Sequence, residues 1–154
     1  MSFDNAYANA LMNPDIAISK RPNKRGALNP GQTKMAERSE HDEQCDLILW
    51  AVANAYLCPE LDDLFAIPNG GKRDVGTGKK LKAEGVRPGV PDLMLPHARR
   101  DFHGLFIEMK VGRNKPSDLQ IARIERLEKS GYCVRVCYSA QSARNVIVWY
   151  LGYT

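Results

Sequence analysis

Two stretches of the chain decide its fold: residues 90–95, which read Val-Pro-Asp-Leu-Met-Leu, and residues 104–110, which read Gly-Leu-Phe-Ile-Glu-Met-Lys. Each contains an apolar run of strand length, and residues 96–103 between them are a polar turn. Since consecutive strands joined by a short turn usually pair, the two stretches predict neighbouring strands of one sheet.

The second predicted strand carries two charged residues among apolar ones. Because side chains alternate along a strand, Glu108 and Lys110 share one face with Phe106, and the intervening Ile107 and Met109 face the other way. A charge buried without a partner costs several kcal/mol, so both charged residues are expected to be paired or to bind a ligand. The simpler alternative is an ion pair between the two at the edge of the sheet.

Asp92 adds a second carboxylate to this site. If the two strands are neighbours, Asp92 and Glu108 lie side by side, and such a pair forms a hard oxygen site for Mg²⁺ or Mn²⁺. A metal bound there polarises a phosphodiester and lowers the pKa of a bound water. Lys110 would orient that water and offset negative charge in the transition state. The pattern therefore predicts phosphodiester hydrolysis.

The rest of the chain supplies helices and two further strands. The first helix is indicated by apolar residues at helical spacing, namely Cys45, Ile48, Leu49, Val52 and Tyr56. The other predicted elements are a strand at 65–68, a short helix at 79–84, a helix at 117–129, a strand at 132–138 and a helix at 142–151. The first helix begins after Ser39 and ends near Cys58, and the last strand–helix–strand step predicts a right-handed crossover to a parallel neighbour. The fold class is α/β, with helices around a mixed sheet of about four strands.

Composition agrees with a globular domain. Of 154 residues, 44% are hydrophobic and 26% are charged, which excludes a fully disordered or fibrous chain. The longest apolar-leaning stretch, residues 47–57, is about half of the ~20 residues that a membrane-spanning helix needs, so no membrane partner is expected. Residues 1–38 lack apolar periodicity and contain a basic run at 20–26. We interpret them as a basic, flexible arm before a domain at 39–154.

The distribution of charges and cysteines indicates what kind of ligand the protein binds and which metal sites are excluded. Residues 40–71 contain seven acidic residues and no Lys or Arg, whereas residues 72–115 contain eleven basic and five acidic residues. An acidic block beside a basic block suits a polyanion bound through metal ions, although a solvated surface gives the same pattern. The four cysteines lack CxxC spacing, which argues against a zinc site. Without a secretory signal, a cytoplasmic location with free thiols is expected.

Four stretches together resemble a known family. They are residues 67–73 (IPNGGKR), 81–93 (LKAEGVRPGVPDL), 104–110 (GLFIEMK) and 117–120 (SDLQ). Their order and content are similar to the VRR-NUC domain (virus-type replication-repair nuclease) of the PD-(D/E)XK nuclease superfamily, in its stand-alone phage and bacterial type. The resemblance covers about residues 39–151. It implies a restriction-endonuclease-like sandwich with the element order α-β-β-β-α-β-α.

The resemblance assigns roles to individual residues of the two strands. Asp92 and Glu108 match the metal-binding carboxylates, and Lys110 matches the catalytic lysine. Met109 would offer its backbone carbonyl to the metal. Mg²⁺ or Mn²⁺ is thus the implied cofactor, and no small-molecule cofactor is expected.

Two helices complete the implied site. The family places a catalytic, metal-binding glutamate on the first helix, four residues before a glutamine. Glu40 with Gln44 matches this pair, and Glu43 is the rival candidate. The family's later glutamine matches Gln120. However, residues 117–120 also form a capping box, in which Gln120 only satisfies the helix terminus, and the two roles need not exclude each other.

Basic and polar residues outside the two strands are candidates for binding DNA. Asn69, Lys72 and Arg73 could present N–H groups and cations to a phosphate, with a plain turn as the alternative. Further cations are expected to follow the DNA backbone and to make binding salt-dependent: Lys79, Lys80, Lys82 and Arg87. Arg113 and Lys115 are interpreted as solvated.

The resemblance implies a metal-dependent endonuclease acting in DNA recombination, repair or replication. Small stand-alone members are similar to Holliday-junction resolvases, and a four-way junction offers two strands for symmetric cutting, so a homodimer is expected. Recognition of DNA shape is favoured over recognition of sequence. Three alternatives stay open: a non-catalytic DNA-binding module on the same fold, a nuclease acting on flaps or linear DNA, and a sequence-specific nuclease.

Overall fold

The computed structural model describes residues 38–68 and 75–153, which are built around one sheet. The elements in chain order are α1 (Glu40–Asn54), a 3-10 helix (Pro59–Asp63), β1 (Phe65–Ala66), α2 (Val75–Ala83), β2 (Leu93–Leu95), β3 (Leu105–Met109), α3 (Asp118–Lys129), β4 (Cys133–Cys137) and α4 (Ala140–Leu151). The α/β prediction and the order of its elements are confirmed. In this part of the chain, no helix has the length and apolarity needed to cross a membrane.

The sheet is mixed and its strands follow the order β1-β2-β3-β4. β1 pairs with β2 and β2 with β3 in antiparallel fashion, whereas β3 and β4 are parallel and are joined through α3. Leu93 lies opposite Ile107, so continuing the register by one residue brings Asp92 opposite Glu108. The start of β2 and the end of β3 therefore meet at one edge of the sheet.

The core lies where α1 and α4 pack against the sheet. Its sheet side includes Leu93, Leu105 and Ile107, each with no exposed surface, and its helical side includes Leu47 and Ile147, which are equally buried. α3 contacts β4 and contributes no buried residue of its own. The sheet thus has one apolar face sealed by α1 and α4, and the other face carries the buried apolar residues Phe106 and Val134 as well as Glu108.

Serine caps fix the start of three helices. Ser39, Ser117 and Ser139 each accept a hydrogen bond from the backbone N–H three residues on, and each forms a complete capping box. The last helix therefore begins at Ala140, two residues before the predicted start, because Ser142 is the third residue of its capping box. α3 ends before Gly131, whose φ of +83° is the left-handed conformation expected after a helix.

The apolar residues that indicated α1 are not the residues that it buries. Cys45 and Leu49 are exposed, and so are Val52 (65%) and Tyr56 (74%). The buried residues of this helix are Glu43, Leu47, Trp50, Ala51 and Asn54. Two of them are polar, but each has a partner that makes its burial acceptable, which a count of apolar residues misses.

α1 ends earlier in the chain than predicted. α1 ends at Asn54 rather than near Cys58, because the Asn54 carbonyl accepts from Leu57 and Cys58 in a closing turn.

The four cysteines are free thiols, and Cys58, Cys133 and Cys137 are buried. This agrees with the expectation of free thiols and with a packing role for the two cysteines of β4.

Candidate active site

Two strands bring the predicted carboxylates together. Asp92 precedes β2, and its Oδ2 accepts a hydrogen bond of 2.8 Å from the backbone N–H of Met109 at the end of β3. Glu108 and Lys110 project from the face of β3 opposite to the Ile107 side chain. The antiparallel register therefore produces the pair of neighbouring carboxylates that the sequence predicted.

Lys110 is buried, with 6% of its surface exposed. Its Nζ donates to Glu108 Oε1 at 2.5 Å and to the Met109 carbonyl at 2.8 Å, and it lies 3.6 Å from Glu40 Oε2. Burial by itself lowers the pKa of Lys110, but the hydrogen bond to Glu108 and the nearby carboxylates raise it above its usual value. The lysine is therefore held in its charged form.

Glu108 is fully buried, and its two oxygens have different surroundings. Oε1 accepts from Lys110 Nζ and from Gln120 Nε2, whereas the buried Oε2 has no hydrogen-bond partner among the residues that the structure describes. Burial is the main cause that raises the pKa of Glu108 to about 7, and the nearby Asp92 carboxylate adds to it. Burial also raises the pKa of Asp92, which the hydrogen bond from Met109 opposes.

These features fit a divalent cation. Two adjacent carboxylates with raised pKa values and one unpartnered buried oxygen form a site in which Lys110 is the only cation described and leaves the carboxylates incompletely compensated. In residues 38–68 and 75–153, no three His, Cys, Asp or Glu side chains form a ready cluster, so a metal would rest on Asp92, Glu108 and the Met109 carbonyl. Mg²⁺ commonly binds in this way, with one or two carboxylates, waters and substrate phosphates.

The two rival glutamates of α1 have different surroundings. Glu40 faces the cluster, with Oε2 near Lys110 and Oε1 accepting from Asn114 Nδ2 at 3.2 Å. Glu43 faces away from it, since its Oε2 accepts from the Ala140 N–H at 2.6 Å and its Oε1 pairs with Arg38 Nε at 2.9 Å. The geometry favours Glu40 as the site residue, and it gives Glu43 the role of fixing the start of α4.

Gln120 makes the contacts that both of its predicted roles require. Its Oε1 accepts from the Ser117 backbone N–H at 2.8 Å and its own N–H donates to Ser117 Oγ, which forms the capping box of α3. Its Nε2 donates to Glu108 Oε1. The cap fixes the side chain, and the free amide nitrogen orients the carboxylate.

The geometry of the site and the family comparison agree. The family model for the VRR-NUC domain matches residues 28–141 of the chain. The chain belongs to the VRR-NUC family. A solved structure described as "VRR_NUC domain protein" is 30% identical, with a TM-score of 0.64, and the match covers 77% of this chain and 92% of that chain. No curated protein matches the chain. The VRR-NUC domain is a nuclease-type domain, so the predicted family and fold are confirmed.

The predicted DNA-binding residues of this VRR-NUC domain are only partly visible. Asn69, Lys72 and Arg73 lie outside the described residues. The remaining four are all exposed, three on α2 and one in the loop after it: Lys79, Lys80, Lys82 and Arg87. One of them, Lys80, lies 3.9 Å from Glu84. Their exposure permits contact with a DNA backbone, and their role stays a prediction.

Two residues of the VRR-NUC site were missed by the sequence analysis. Asn114 binds Glu40, but an asparagine in a turn gives no signal of that contact. Gly89 has a φ of +77°, and a Cβ there would lie 2.6 Å from the Leu119 carbonyl oxygen. The loop before Asp92 therefore packs directly on the first turn of α3. Only a glycine permits this close approach.

Proposed function

We propose that this VRR-NUC domain is a Mg²⁺- or Mn²⁺-dependent endonuclease that hydrolyses phosphodiester bonds in branched DNA, with four-way junctions as its preferred substrate. The observation that carries the proposal is the cluster of Asp92, Glu108, Lys110 and Gln120, in which Glu108 and Lys110 are buried and one Glu108 oxygen has no partner among the described residues. Buried ionisable groups with perturbed pKa values are typical of catalytic sites.

Each group of the cluster has a defined task in hydrolysis. Asp92, Glu108 and the Met109 carbonyl would hold the metal, which when bound polarises the phosphate and lowers the pKa of the attacking water. Lys110 keeps its charge, contacts a phosphate oxygen or that water, and offsets the negative charge of the transition state. Water attacks phosphorus and the bond to the 3′ oxygen breaks, which leaves a 5′-phosphate and a 3′-hydroxyl.

The substrate and the oligomeric state form a second part of the proposal. A four-way junction presents two equivalent strands, so a twofold dimer would place one site at each. α4 packs its buried residues against the core, whereas Leu49 and Val52 on α1, and Tyr56 in the turn after it, are exposed. This face of α1 is where we expect a second copy to bind, and Val52→Asp should convert the dimer to a monomer in analytical ultracentrifugation.

The test uses a labelled four-way junction and a linear duplex of matching sequence. Each is incubated with the full chain and Mg²⁺ or Mn²⁺, beside Asp92→Asn and Glu108→Gln. Paired symmetric cuts in the junction alone, lost in both variants, are the expected result. Equal cutting of both substrates would keep the nuclease and reject junction selectivity. Binding without cutting would instead favour a DNA-binding module on the nuclease fold.

A further inference from the structure

A groove of about 560 Å³ opens beside the cluster, between α1 and the turn that follows β3. The residues that line it include Arg38, Glu43, Arg113, Asn114 and Tyr138. The volume is within the ~300–1,000 Å³ of sites that hold a ligand the size of a nucleotide. The sequence analysis assigned no role to this region and interpreted Arg113 as solvated.

The groove is lined by neighbours of the catalytic cluster and not by the cluster itself. The Lys110 backbone N–H donates to the Cys137 carbonyl at 2.8 Å, so Tyr138 follows directly after the residue paired with the lysine. On the other side, Asn114 both lines the groove and donates to Glu40. A strand whose scissile phosphate lies at Lys110 must continue past the cluster, and this groove offers it a path.

The charges in the groove favour an anion. Arg38 pairs with Glu43 and with Asp46, and the second oxygen of Glu43 accepts from Ala140, so these charges are compensated. Arg113 is exposed and forms no ion pair with any residue that the structure describes. Its guanidinium is therefore the available cation for a phosphate, which arginine binds with two parallel hydrogen bonds.

Tyr138 offers an aromatic surface at the same place. Its side chain is 46% exposed, whereas its backbone N–H is held by Ser142 Oγ at 3.1 Å. An exposed ring on a fixed backbone is a suitable surface for base stacking, which contributes about 1–3 kcal/mol per base in single-strand binding. Stacking needs a base that is not enclosed in a duplex, and branch points supply such bases.

We infer that this groove binds one unpaired nucleotide next to the scissile phosphate, with Arg113 on its phosphate and Tyr138 on its base. The inference rests on the proposed nuclease function, and it identifies a source of selectivity for branched over linear DNA. Arg113 and Tyr138 would thus determine affinity and substrate choice, while Asp92, Glu108 and Lys110 perform the chemistry.

The experiment pairs protein variants with chemically altered DNA. Arg113→Gln and Tyr138→Ala are compared with Arg126→Gln. Arg126 is an exposed control in the last turn of α3, whereas Gln120 lies in its first turn. The full chain is measured for junction binding in Ca²⁺ and for cleavage in Mg²⁺. Single methylphosphonates, which remove one phosphate charge, and single abasic sites are placed within three nucleotides of the cut.

The expected result is a coupled loss at one position. Arg113→Gln should weaken binding and raise KM about tenfold with kcat kept, and should reduce the slope of log affinity against log salt by about 1. A methylphosphonate at one position should reproduce this loss in the wild type and add nothing to it in Arg113→Gln. An abasic site should show the same non-additivity with Tyr138→Ala.

Two further outcomes separate the groove from the nuclease function. If the wild type cleaves and both variants behave like Arg126→Gln, the groove inference is wrong and the nuclease proposal stands. If the wild type binds the junction but never cleaves it, the nuclease proposal is wrong. The binding measurements that combine protein variants with altered DNA then still test whether the groove holds a nucleotide. Additive losses at every position also overturn the inference, and absence of binding overturns both.

Discussion

The two faces of β3 are equally buried, yet they have opposite effects on the protein. On one face Leu105, Ile107 and Met109 have at most 1% exposure and pack into the core. On the other face Glu108 has none and Lys110 has 6%. Burial stabilises the first set through the hydrophobic effect, whereas the second set loses hydration that its partners replace only in part.

Burial alone therefore does not determine what a residue contributes. On the apolar face each side chain belongs to the hydrophobic core, so its contribution is to stability. On the polar face the pKa values of both carboxylates are raised by burial, and one Glu108 oxygen lacks a partner in the described chain. Such incomplete compensation persists where it serves function.

The largest expected effect comes from breaking the polar face. Lys110→Ala removes the charge that, in the proposed mechanism, offsets negative charge on the transition state, and the loss of one such group typically costs about 10²–10³ in rate. Because Lys110 also orders Glu108, we expect at least the upper end of this range, with DNA binding largely retained. Single-turnover cleavage of the labelled junction measures it, and unchanged cleavage would contradict the catalytic assignment.

The matching change on the apolar face is Ile107→Ala. Ile107 is fully buried, and truncation of such a residue costs about 2–5 kcal/mol of unfolding free energy. Cleavage per folded molecule should stay within a few-fold of the wild type at low temperature. Urea unfolding and single-turnover cleavage give both quantities, and a selective loss of cleavage at wild-type stability would remove the contrast between the faces.

Much of this contrast could be predicted from the sequence. The alternation in residues 104–110 put Glu108 and Lys110 on one face, and the hairpin-length turn put Asp92 beside them. The strand order and the parallel pairing of β3 with β4 followed from the connections. These features were predictable because they depend on local periodicity and on the lengths of connecting segments.

The rest depended on contacts between distant residues. The buried face of α1 includes Glu43, whose carboxylate accepts from Ala140, a residue far along the chain. The Asn114 contact with Glu40 and the close packing of Gly89 on Leu119 have the same character. No periodicity encodes such pairs, so the buried face of α1 could not be read from its apolar spacing, and these two residues were missed.

Metal and pH should act on the polar face alone. With a chelator, the folded state binds more protons than the unfolded state between pH 4.5, the ordinary pKa of a glutamate, and about 7, the value for Glu108. Stability should therefore fall as pH rises through this range. A divalent cation needs the ionised carboxylates, so its stabilising effect should grow over the same range, to about 2.7 kcal/mol at 100 times Kd.

Asp92→Asn separates the metal effect from the packing. The variant removes a negative charge next to Glu108 and the proposed metal ligand, and an amide oxygen can still accept from Met109. Thermal unfolding of the variant is measured between pH 5 and 8, with chelator and with Mg²⁺ or Mn²⁺. Its unfolding temperature should not rise when metal is added, and it should fall less with increasing pH than that of the wild type. A rise with metal equal to that of the wild type would exclude Asp92 as a ligand.

The smallest expected effect on cleavage comes from removing a helix cap. Ser117→Ala and Ser139→Ala each remove a serine that caps a helix, which costs about 1 kcal/mol of stability. Ser117 also contacts Gln120, which donates to Glu108, so its loss should slow cleavage a few-fold, whereas Ser139 holds α4 and should leave cleavage unchanged. The slowing is small because the Ser117 backbone N–H still holds Gln120 Oε1. Equal cleavage by both variants, at equal loss of stability, would show that Gln120 serves only as a cap.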